Sequence, residues 1–200
     1  MAANARHIPL AAQIVVPWRN GGGTTREVAR GDGATGFRWR VSVAQVAGDG
    51  PFSNYPGVDR MLWLLRGAGM ELRIADQLTC LERRYAMIAF AGEAAVTARL
   101  LSGPTEDLNV MVERGTTRVQ ARVFEVQGEH EERLCDASEA LILALAGSVL
   151  VRLPGRPEIA LECGDALELA PCAGHSVHLR GVARPSVLLW ARFFRVPSAG

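Results

Sequence analysis

The sequence repeats itself at a constant offset of 80 residues. When residues 37–91 are laid on residues 117–171 without a gap, nine pairs are identical, among them Gly67 with Gly147 and Leu81 with Leu161. Apolar runs and the glycines between them fall at the same places in both copies. Supersecondary order that recurs at a fixed offset indicates a duplicated unit. The alternative is two unrelated stretches of similar composition.

The spacing of glycine and proline predicts the secondary structure of each copy. The chain has 21 Gly and 10 Pro, and short apolar or alternating runs lie between them. Many short strands at such intervals are typical of a sandwich or barrel. Residues 136–146 are ambiguous, since an amphipathic helix or a buried strand would explain the pattern. We therefore predict an all-β protein with two tandem domains, residues 1–115 and 116–200.

Composition narrows the classes of function. With 48% apolar residues, 22% charged residues and a formal net charge of +1, the chain is typical of a soluble globular protein. A charge this balanced argues against nucleic acid or a membrane surface as partner. All 22 basic residues are Arg, so lysine chemistry such as a Schiff base is excluded. Arg is suited to planar carboxylates through its forked donors.

The cysteines and the N-terminus bear on localisation. Cys80, Cys135, Cys163 and Cys172 form no C-x-x-C pair, which predicts buried free thiols in a reducing compartment. The N-terminal apolar stretch is broken by Pro9 and Gln13 and is interpreted as strand rather than signal peptide. No apolar run approaches 18 residues, so no membrane span is expected. We predict a cytoplasmic protein.

The two copies differ in their loops. Residues 49–60 (DGPFSNYPGVDR) are rich in Gly, Pro and aromatic residues, whereas the matching residues 129–140 (EHEERLCDASEA) are interpreted as a plain charged loop. Binding residues tend to lie on loops held by a rigid scaffold. The first copy is therefore predicted to carry the functional site, and the second to be mainly structural.

Three further segments of the first copy are candidates for the site. Three glycines follow Asn20, and their N–H groups could converge on an anion, although a flexible turn is the simpler interpretation. Residues 39–46 alternate so that Arg40 and Ser42 share one strand face, which is either exposed or lines a polar cavity; alternation alone favours exposure. In residues 106–114 (EDLNVMVER), Asn109 and Met111 share a face.

Two resemblances follow from these motifs. The segment ECGDALELAPCAGHSVHL resembles the second cupin motif, which implies a double-stranded β-helix and, with two copies, a bicupin. The segments PWRNGGGTTREVA, WRVSVAQV, DGPFSNYPGVDR and FAGE…LLSGPTEDLNVMVERG together resemble the HutD/Ves family of bicupins, in the order that the family has them.

Metal binding is not expected. Cupin enzymes usually hold a metal with histidines and a carboxylate, but the first copy has no histidine between His7 and His130. His175 and His178 of the second copy would point to opposite faces of a strand, where they chelate poorly. No cofactor is predicted.

The HutD resemblance implies a site and a function. The family is associated with histidine utilisation, and its first cupin is thought to hold a small-molecule pocket. By motif, the candidate ligand-binding residues are Asn20, Thr25, Glu27, Arg40, Ser42, Arg60 and Asn109. Arg40 and Arg60 would bind carboxylates, the Asn and Ser side chains would orient an amide or formyl group, and Glu27 would accept from a ligand N–H or balance an arginine.

Three functions remain open at this point. The first is a non-catalytic, regulatory protein that binds a small carboxylate metabolite such as formylglutamate. The second is a metal-free isomerase or hydrolase with Glu27 as general base; two nearby arginines would oppose the raised carboxylate pKa that it needs. The third is a structural or stress-related dimer with a vestigial pocket. A homodimer is plausible because open barrels leave edge strands exposed. No residue is assigned a catalytic role.

Overall fold

A computed structural model describes residues 4–18, 21–33, 36–134, 136–171, 173–182 and 185–197. Within these ranges the chain forms nineteen β-strands and one 3₁₀ turn, Leu10–Ala12, and no α-helix. The all-β prediction is confirmed. The chain divides into two compact units, one of residues 14–115 and one of residues 1–13 with 116–200. Asn20, Cys135 and Cys172 lie outside the described residues.

The unit of residues 14–115 contains two antiparallel sheets. The larger sheet has the order β2-β3-β4-β11-β6-β9 and the smaller has the order β5-β10-β7-β8. Their strands are β2 (Ile14–Pro17), β3 (Gly23–Gly31), β4 (Trp39–Val46), β5 (Gly50–Pro51), β6 (Val58–Arg66), β7 (Met70–Ile74), β8 (Gln77–Leu81), β9 (Met87–Ala91), β10 (Val96–Leu100) and β11 (Thr105–Glu113).

The other unit repeats this arrangement. Its sheets have the orders β1-β17-β14-β19-β12 and β13-β18-β15-β16. The strands are β1 (Asn4–Ile8), β12 (Thr117–Glu125), β13 (Glu129–Leu134), β14 (Glu139–Ala146), β15 (Val149–Arg152), β16 (Ile159–Leu161), β17 (Ala166–Ala170), β18 (His175–Gly181) and β19 (Val187–Arg195).

The strand correspondence explains the 80-residue repeat. The order β4-β11-β6-β9 of one unit matches β12-β19-β14-β17 of the other, and β5-β10-β7-β8 matches β13-β18-β15-β16. Each matched strand begins within a few residues of the 80-residue offset. Antiparallel strands paired in this order, twice in one chain, form two tandem double-stranded β-helix barrels, as the cupin motif implied.

The N-terminal segment differs from the predicted division of the chain. The prediction placed residues 1–115 in one domain, whereas β1 pairs along five residues with β17 of the unit that contains residues 116–200. The Gln13 side chain donates to the Gly164 carbonyl at 2.7 Å, and the Leu10 N–H donates to Asp165 Oδ1 at 2.8 Å. Strand pairing over so long a sequence separation leaves no local signal in the sequence.

Three local expectations are corrected. The ambiguous residues 136–146 contain strand β14, not a helix, and Leu141, Ile142 and Leu143 are buried. The segment interpreted as a charged loop contains strand β13, in which alternate residues turn inward and Glu132 is buried. Of the cysteines, Cys80 and Cys163 are exposed free thiols, not buried ones.

Each unit has its own apolar core. In residues 14–115 the core is built from both sheets and includes Leu62, Leu64, Met70 and Leu72. In the other unit a larger cluster includes Trp190 and Ile142. None of the helices that the structure describes is long and apolar enough to cross a membrane.

Candidate ligand-binding cavity

One barrel of the protein encloses a cavity of about 610 Å³. Its described walls come from residues 14–115: strands β2, β3, β4, β5, β6 and β11, and the segments that follow β2 and β5. The lining residues are Val16, Pro17, Trp18, Thr25, Arg40, Ser42, Ala44, Pro51, Phe52, Ser53, Tyr55, Arg60, Asp107, Asn109 and Met111. Cavities of this volume are in the range that holds small metabolites and cofactors.

Strand register brings the polar residues together. Across the larger sheet, Met111 of β11 lies opposite Arg40 of β4 on one side and Arg60 of β6 on the other. Asn109 lies opposite Ser42 in the next row on the same face. Side chains alternate along a strand. Residues that lie opposite one another on neighbouring strands, and the residues two positions further along each strand, therefore point to the same face of the sheet. The polar wall of the cavity is therefore a patch of the sheet's inner face.

Arg60 is the most buried cation of this wall. Only 5% of the residue is exposed, and its guanidinium carbon lies 4.9 Å from the centre of the Phe90 ring, with Phe52 and Tyr55 at 5.5 and 5.6 Å. Its Nη1 donates to the Ser53 carbonyl at 3.2 Å. Its Nε is buried, and no described residue forms a hydrogen bond with it. Burial lowers the pKa of Arg60, and the nearby Asp107 carboxylate opposes that change. An arginine in such a setting stays cationic.

Asn109 connects Arg60 to a buried carboxyl group. Arg60 Nη2 donates to Asn109 Oδ1 at 2.8 Å, and Asn109 Nδ2 donates to Asp107 Oδ1 at 2.5 Å. Asp107 is 1% exposed. Burial raises the pKa of Asp107 to about 7, although the charge of Arg60 and the bond from Asn109 act to lower it. The cavity thus contains a carboxyl group that changes its charge near neutral pH.

Arg40 lies on the cavity wall but is paired. Its Nε donates to Glu27 Oε2 at 2.7 Å, and 17% of its side chain is exposed. Glu27 also lies 3.7 Å from Arg30 on its own strand. The interpretation of Arg40 as an exposed residue, which alternation favoured, is therefore wrong. Glu27 balances an arginine in this structure. This is one of the two roles that the sequence analysis considered for it.

The glycine segment contributes less than its composition suggested. Gly21 N–H donates to the Trp18 carbonyl at 3.0 Å, and Trp18 N–H donates to the Gly23 carbonyl at 2.9 Å, so the glycines close the turn between β2 and β3. Trp18 Nε1 donates to Thr25 Oγ1 at 2.7 Å at the cavity wall. None of the three glycines lines the cavity. They form a turn, which is the simpler of the two interpretations, and not an anion-binding loop at the cavity.

Most of the predicted residues lie at the cavity. Thr25, Arg40, Ser42, Arg60 and Asn109 line it. Glu27 reaches it only through Arg40, and Asn20 lies outside the described residues.

Asp107 and the aromatic residues of the wall were missed by the sequence analysis. Strand alternation could have indicated Asp107, because Asp107, Asn109 and Met111 are alternate residues of β11 and point to the same face. At Asp107, which the sequence analysis did not consider, desolvation outweighs the opposing charge of Arg60 and raises the pKa.

The donor set of this cavity does not fit a divalent metal. Its lining includes two guanidinium groups and one carboxyl group, and that carboxyl group already accepts a bond from Asn109. Metal sites in cupins use neutral imidazole and carboxylate ligands, which two fixed cations would oppose. In the part of the chain that the structure describes, no group of three or more His, Cys, Asp or Glu side chains is placed to hold a metal.

Fold and cavity together define a bicupin whose first barrel carries an arginine-lined pocket. The likeness to oxalate decarboxylase from Lactobacillus farciminis, with a TM-score of 0.66 at 8% identity over 96% of this chain and 86% of that one, shows the cupin fold alone. The HutD family model matches residues 11–187, and the chain belongs to the HutD family. The resemblance found in the sequence is thereby confirmed.

Three relatives illustrate this membership. An uncharacterised 21.2 kDa protein in the hutC 3′ region of Pseudomonas putida is 35% identical over 156 residues, 77% of this chain and 80% of that protein. A conserved protein of unknown function from Pseudomonas aeruginosa PAO1 has a TM-score of 0.88 at 30% identity, over 96% of this chain and 99% of that one. HutD from Pseudomonas fluorescens SBW25 has a TM-score of 0.82 at 26% identity, over 97% and 100%.

Proposed function

We propose that this protein is a non-catalytic, regulatory, cytoplasmic protein that binds a small carboxylate metabolite in the cavity of residues 14–115. The observation that carries the proposal is Arg60, a buried guanidinium on the cavity wall whose Nε has no hydrogen-bond partner among the described residues. Burial raises the pKa of the neighbouring Asp107 to about 7 and so disfavours its ionised form, which limits how far Asp107 balances the charge of Arg60. An anionic ligand would complete that balance.

The remaining wall suits the carbon skeleton of such a ligand. Phe52, Tyr55 and Met111 offer apolar surface beside the arginines, and Ser42 and Thr25 offer hydroxyl groups. Small-molecule pockets commonly combine an apolar wall with a few fixed polar groups. A dicarboxylate with an amide matches this mixture better than a purely apolar or a cationic ligand.

Histidine utilisation supplies the candidate ligand. The relatives include a protein from a hutC region and one named HutD. Formylglutamate, an intermediate of histidine breakdown, carries two carboxylates for the arginines and a formamide for the neighbouring polar groups. We infer a regulatory role that reads the concentration of this class of metabolite.

Calorimetric titration with N-formyl-L-glutamate tests the proposal, with thermal shift as a second readout because a ligand of the folded state raises the melting temperature. We expect saturable binding in the wild type and a loss of roughly tenfold or more in affinity for Arg60→Met, since hydrogen bonds to charged groups contribute about 1.5–3 kcal/mol. Arg60→Met keeps the apolar stem against the aromatic rings.

Arg99→Met is the matched control. Arg99 forms a cross-strand pair with Glu71 at 3.1 Å in the same unit, but it does not line the cavity. It should leave affinity unchanged. If formylglutamate, urocanate and related acids neither bind nor shift the melting temperature, the proposal is wrong and the vestigial-pocket alternative gains support.

One observation favours the enzymatic alternative. Asp107, with a pKa of about 7 beside the cavity, meets the requirement for a general base better than Glu27, which is held by Arg40. The same titration samples decide between the two, because ¹H NMR would detect formate and glutamate released from formylglutamate. Turnover that Asp107→Asn abolishes would establish a hydrolase in place of a binding protein.

A further inference from the structure

Asp107 is the one carboxyl group among the cavity-lining residues, and the proposed carboxylate ligand gives it no task. It is almost fully buried, and its hydrogen bond within the described part of the chain comes from Asn109 Nδ2 to Oδ1. A carboxylate has two oxygens and about four lone-pair positions. The group therefore keeps acceptor capacity in a place where bulk water is largely excluded.

Asn109 is already committed on both sides of its amide. Its oxygen accepts from Arg60 and its nitrogen donates to Asp107, which fixes the orientation of the amide and holds Asp107 beside the arginine. It is therefore a positioning residue rather than the group that reads a ligand amide. At the two ends of this network, Asp107 lines the cavity as an acceptor and Arg60 lines it as a donor.

We propose that Asp107 accepts a hydrogen bond from an N–H group of the ligand, so that the cavity selects carboxylates that also carry an amide N–H, the class of N-acyl amino acids. The inference rests on the proposed function and names the ligand class of the same cavity. It follows from the placement of an anionic acceptor next to a cationic donor on one wall. A ligand with a carboxylate and an N–H presents the complementary pair.

The competing arrangement is a ligand carboxylate that shares a proton with Asp107. Two facing carboxyl groups cannot both be ionised at low cost, so that arrangement would favour protonated Asp107. A ligand N–H favours the ionised form instead. The two arrangements therefore predict different effects of pH. A shared proton strengthens the binding of any such carboxylate towards pH 6 and leaves amide and ester equal, whereas an N–H contact favours the amide towards pH 8.

The groups around Asp107 set the pH range of the test. Arg60 of β6 favours its ionised form, and Glu106, its neighbour on β11, opposes it. Arg40 of β4 and Tyr55 of the loop after β5 line the same cavity. Burial, the largest influence, leaves the pKa of Asp107 at about 7, so the change in charge falls between pH 6 and pH 8.

The experiment compares two ligands that differ in one group. N-formyl-L-glutamate and (S)-2-formyloxyglutarate have the same carboxylates and formyl group, but an ester oxygen replaces the N–H. We expect the wild type to bind the amide roughly tenfold or more tightly at pH 8, in line with the strength of hydrogen bonds to charged groups. The preference should shrink towards pH 6, because protonated Asp107 can donate to the ester oxygen.

A substitution then assigns the preference to Asp107. Asp107→Asn should give a smaller, pH-independent ratio of the two dissociation constants. Glu71→Gln is the matched control, since Glu71 pairs with Arg99 away from the cavity lining and is not among the groups that shift the pKa of Asp107, so it should leave the ratio unchanged. The wild-type comparison needs no variant and stands even if Asp107→Asn fails to fold.

The outcomes separate this inference from the proposed function. If neither ligand binds, the proposed function fails. If both bind equally, or the ester analogue binds more tightly, a carboxylate pocket exists but Asp107 does not read an N–H. If both ligands bind more tightly towards pH 6 with an unchanged ratio of their dissociation constants, the shared-proton arrangement is correct and the inference is overturned.

Discussion

Asn109 shows how one amide can organise two charged side chains. A cation and an acid buried together would be costly if either were unpaired. Asn109 accepts from Arg60 and donates to Asp107, so both partners are held in fixed positions on the cavity wall. Three aromatic rings around the guanidinium add further favourable contacts. The polar side chains of the cavity wall are thus held in place by their own contacts.

Asp107 makes the stability of the protein depend on pH. Its pKa is raised from 3.8 to about 7 in the folded state. A raised pKa means that the folded state binds more protons, so the contribution is fully present below pH 3.8 and is lost as pH rises through 7. Asp107→Asn lacks this dependence. Between pH 5 and pH 8 the variant should therefore gain on the order of 2 kcal/mol in the free energy of unfolding relative to wild type.

Urea denaturation of both proteins at several pH values measures that gain. Glu71→Gln serves as the comparison, because Glu71 is a partly buried carboxylate that pairs with Arg99 and is not among the groups that shift the pKa of Asp107. A constant difference between Asp107→Asn and the wild type across this range would contradict a raised pKa at Asp107.

At the scale of elements, the turn between β2 and β3 places two cavity residues. Trp18 precedes the three glycines and Thr25 follows them, and the two side chains are bonded across the hairpin. At Gly23 the chain runs against β4, where an added Cβ would lie 2.1 Å from the Gln45 carbonyl oxygen and 3.2 Å from the Trp18 ring. Close approach of backbones explains this glycine better than flexibility does.

Gly23→Ala should therefore destabilise the protein, by about 1–3 kcal/mol if the strands can shift. The hairpin should be displaced, so the affinity for N-formyl-L-glutamate should fall as well. Chemical denaturation and titration measure the two effects. Gly48→Ala is the control, because an added Cβ there meets nothing within 4 Å and should leave both quantities nearly unchanged.

Irregular pairing also shapes the site at this scale. β11 shifts register against β6 between Glu106 and Asp107, and β3 shifts against β4 between Glu27 and Ala29. A β-bulge changes the direction of the neighbouring side chains and is common beside functional sites. The first irregularity lies at Asp107 on the cavity wall, and the second lies beside Glu27, which pairs with Arg40. No residue pattern in the sequence indicates either one.

At the scale of the whole molecule, the two copies of the scaffold differ in the side chains at equivalent strand positions. Under the 80-residue offset Arg60 matches Ala140 and Arg40 matches Gln120, so the second copy lacks both cavity arginines at equivalent positions. The shared strand orders fix the barrels, and substitutions on equivalent strands decide which one has an arginine-lined cavity.

The N-terminal strand should stabilise the unit formed with residues 116–200. β1 covers one edge of β17, and deletion of residues 1–9 would expose the backbone groups of that edge. Amide hydrogen exchange should then accelerate in β17, whereas β10 of the other unit should keep its protection. Unchanged exchange in β17 would show that the β1 pairing contributes nothing to stability.

A homodimer stays a prediction at this scale. Strand β2 is an edge of the larger sheet in residues 14–115, and Ile14, Val15 and Val16 are all exposed on it. Exposed β-branched edges of this kind are prone to pair with another chain.

The sequence by itself determined the duplicated all-β scaffold, because repeat spacing and turn residues are local patterns along the chain. The family and five of the cavity residues followed from motifs that resemble those of HutD proteins. The tertiary structure decided the rest. It placed β1 with β17, set Glu27 against Arg40, and buried Asp107 beside Arg60. Desolvation and cross-strand register depend on what packs around a residue, and for Asp107 that burial sets its charge near neutral pH.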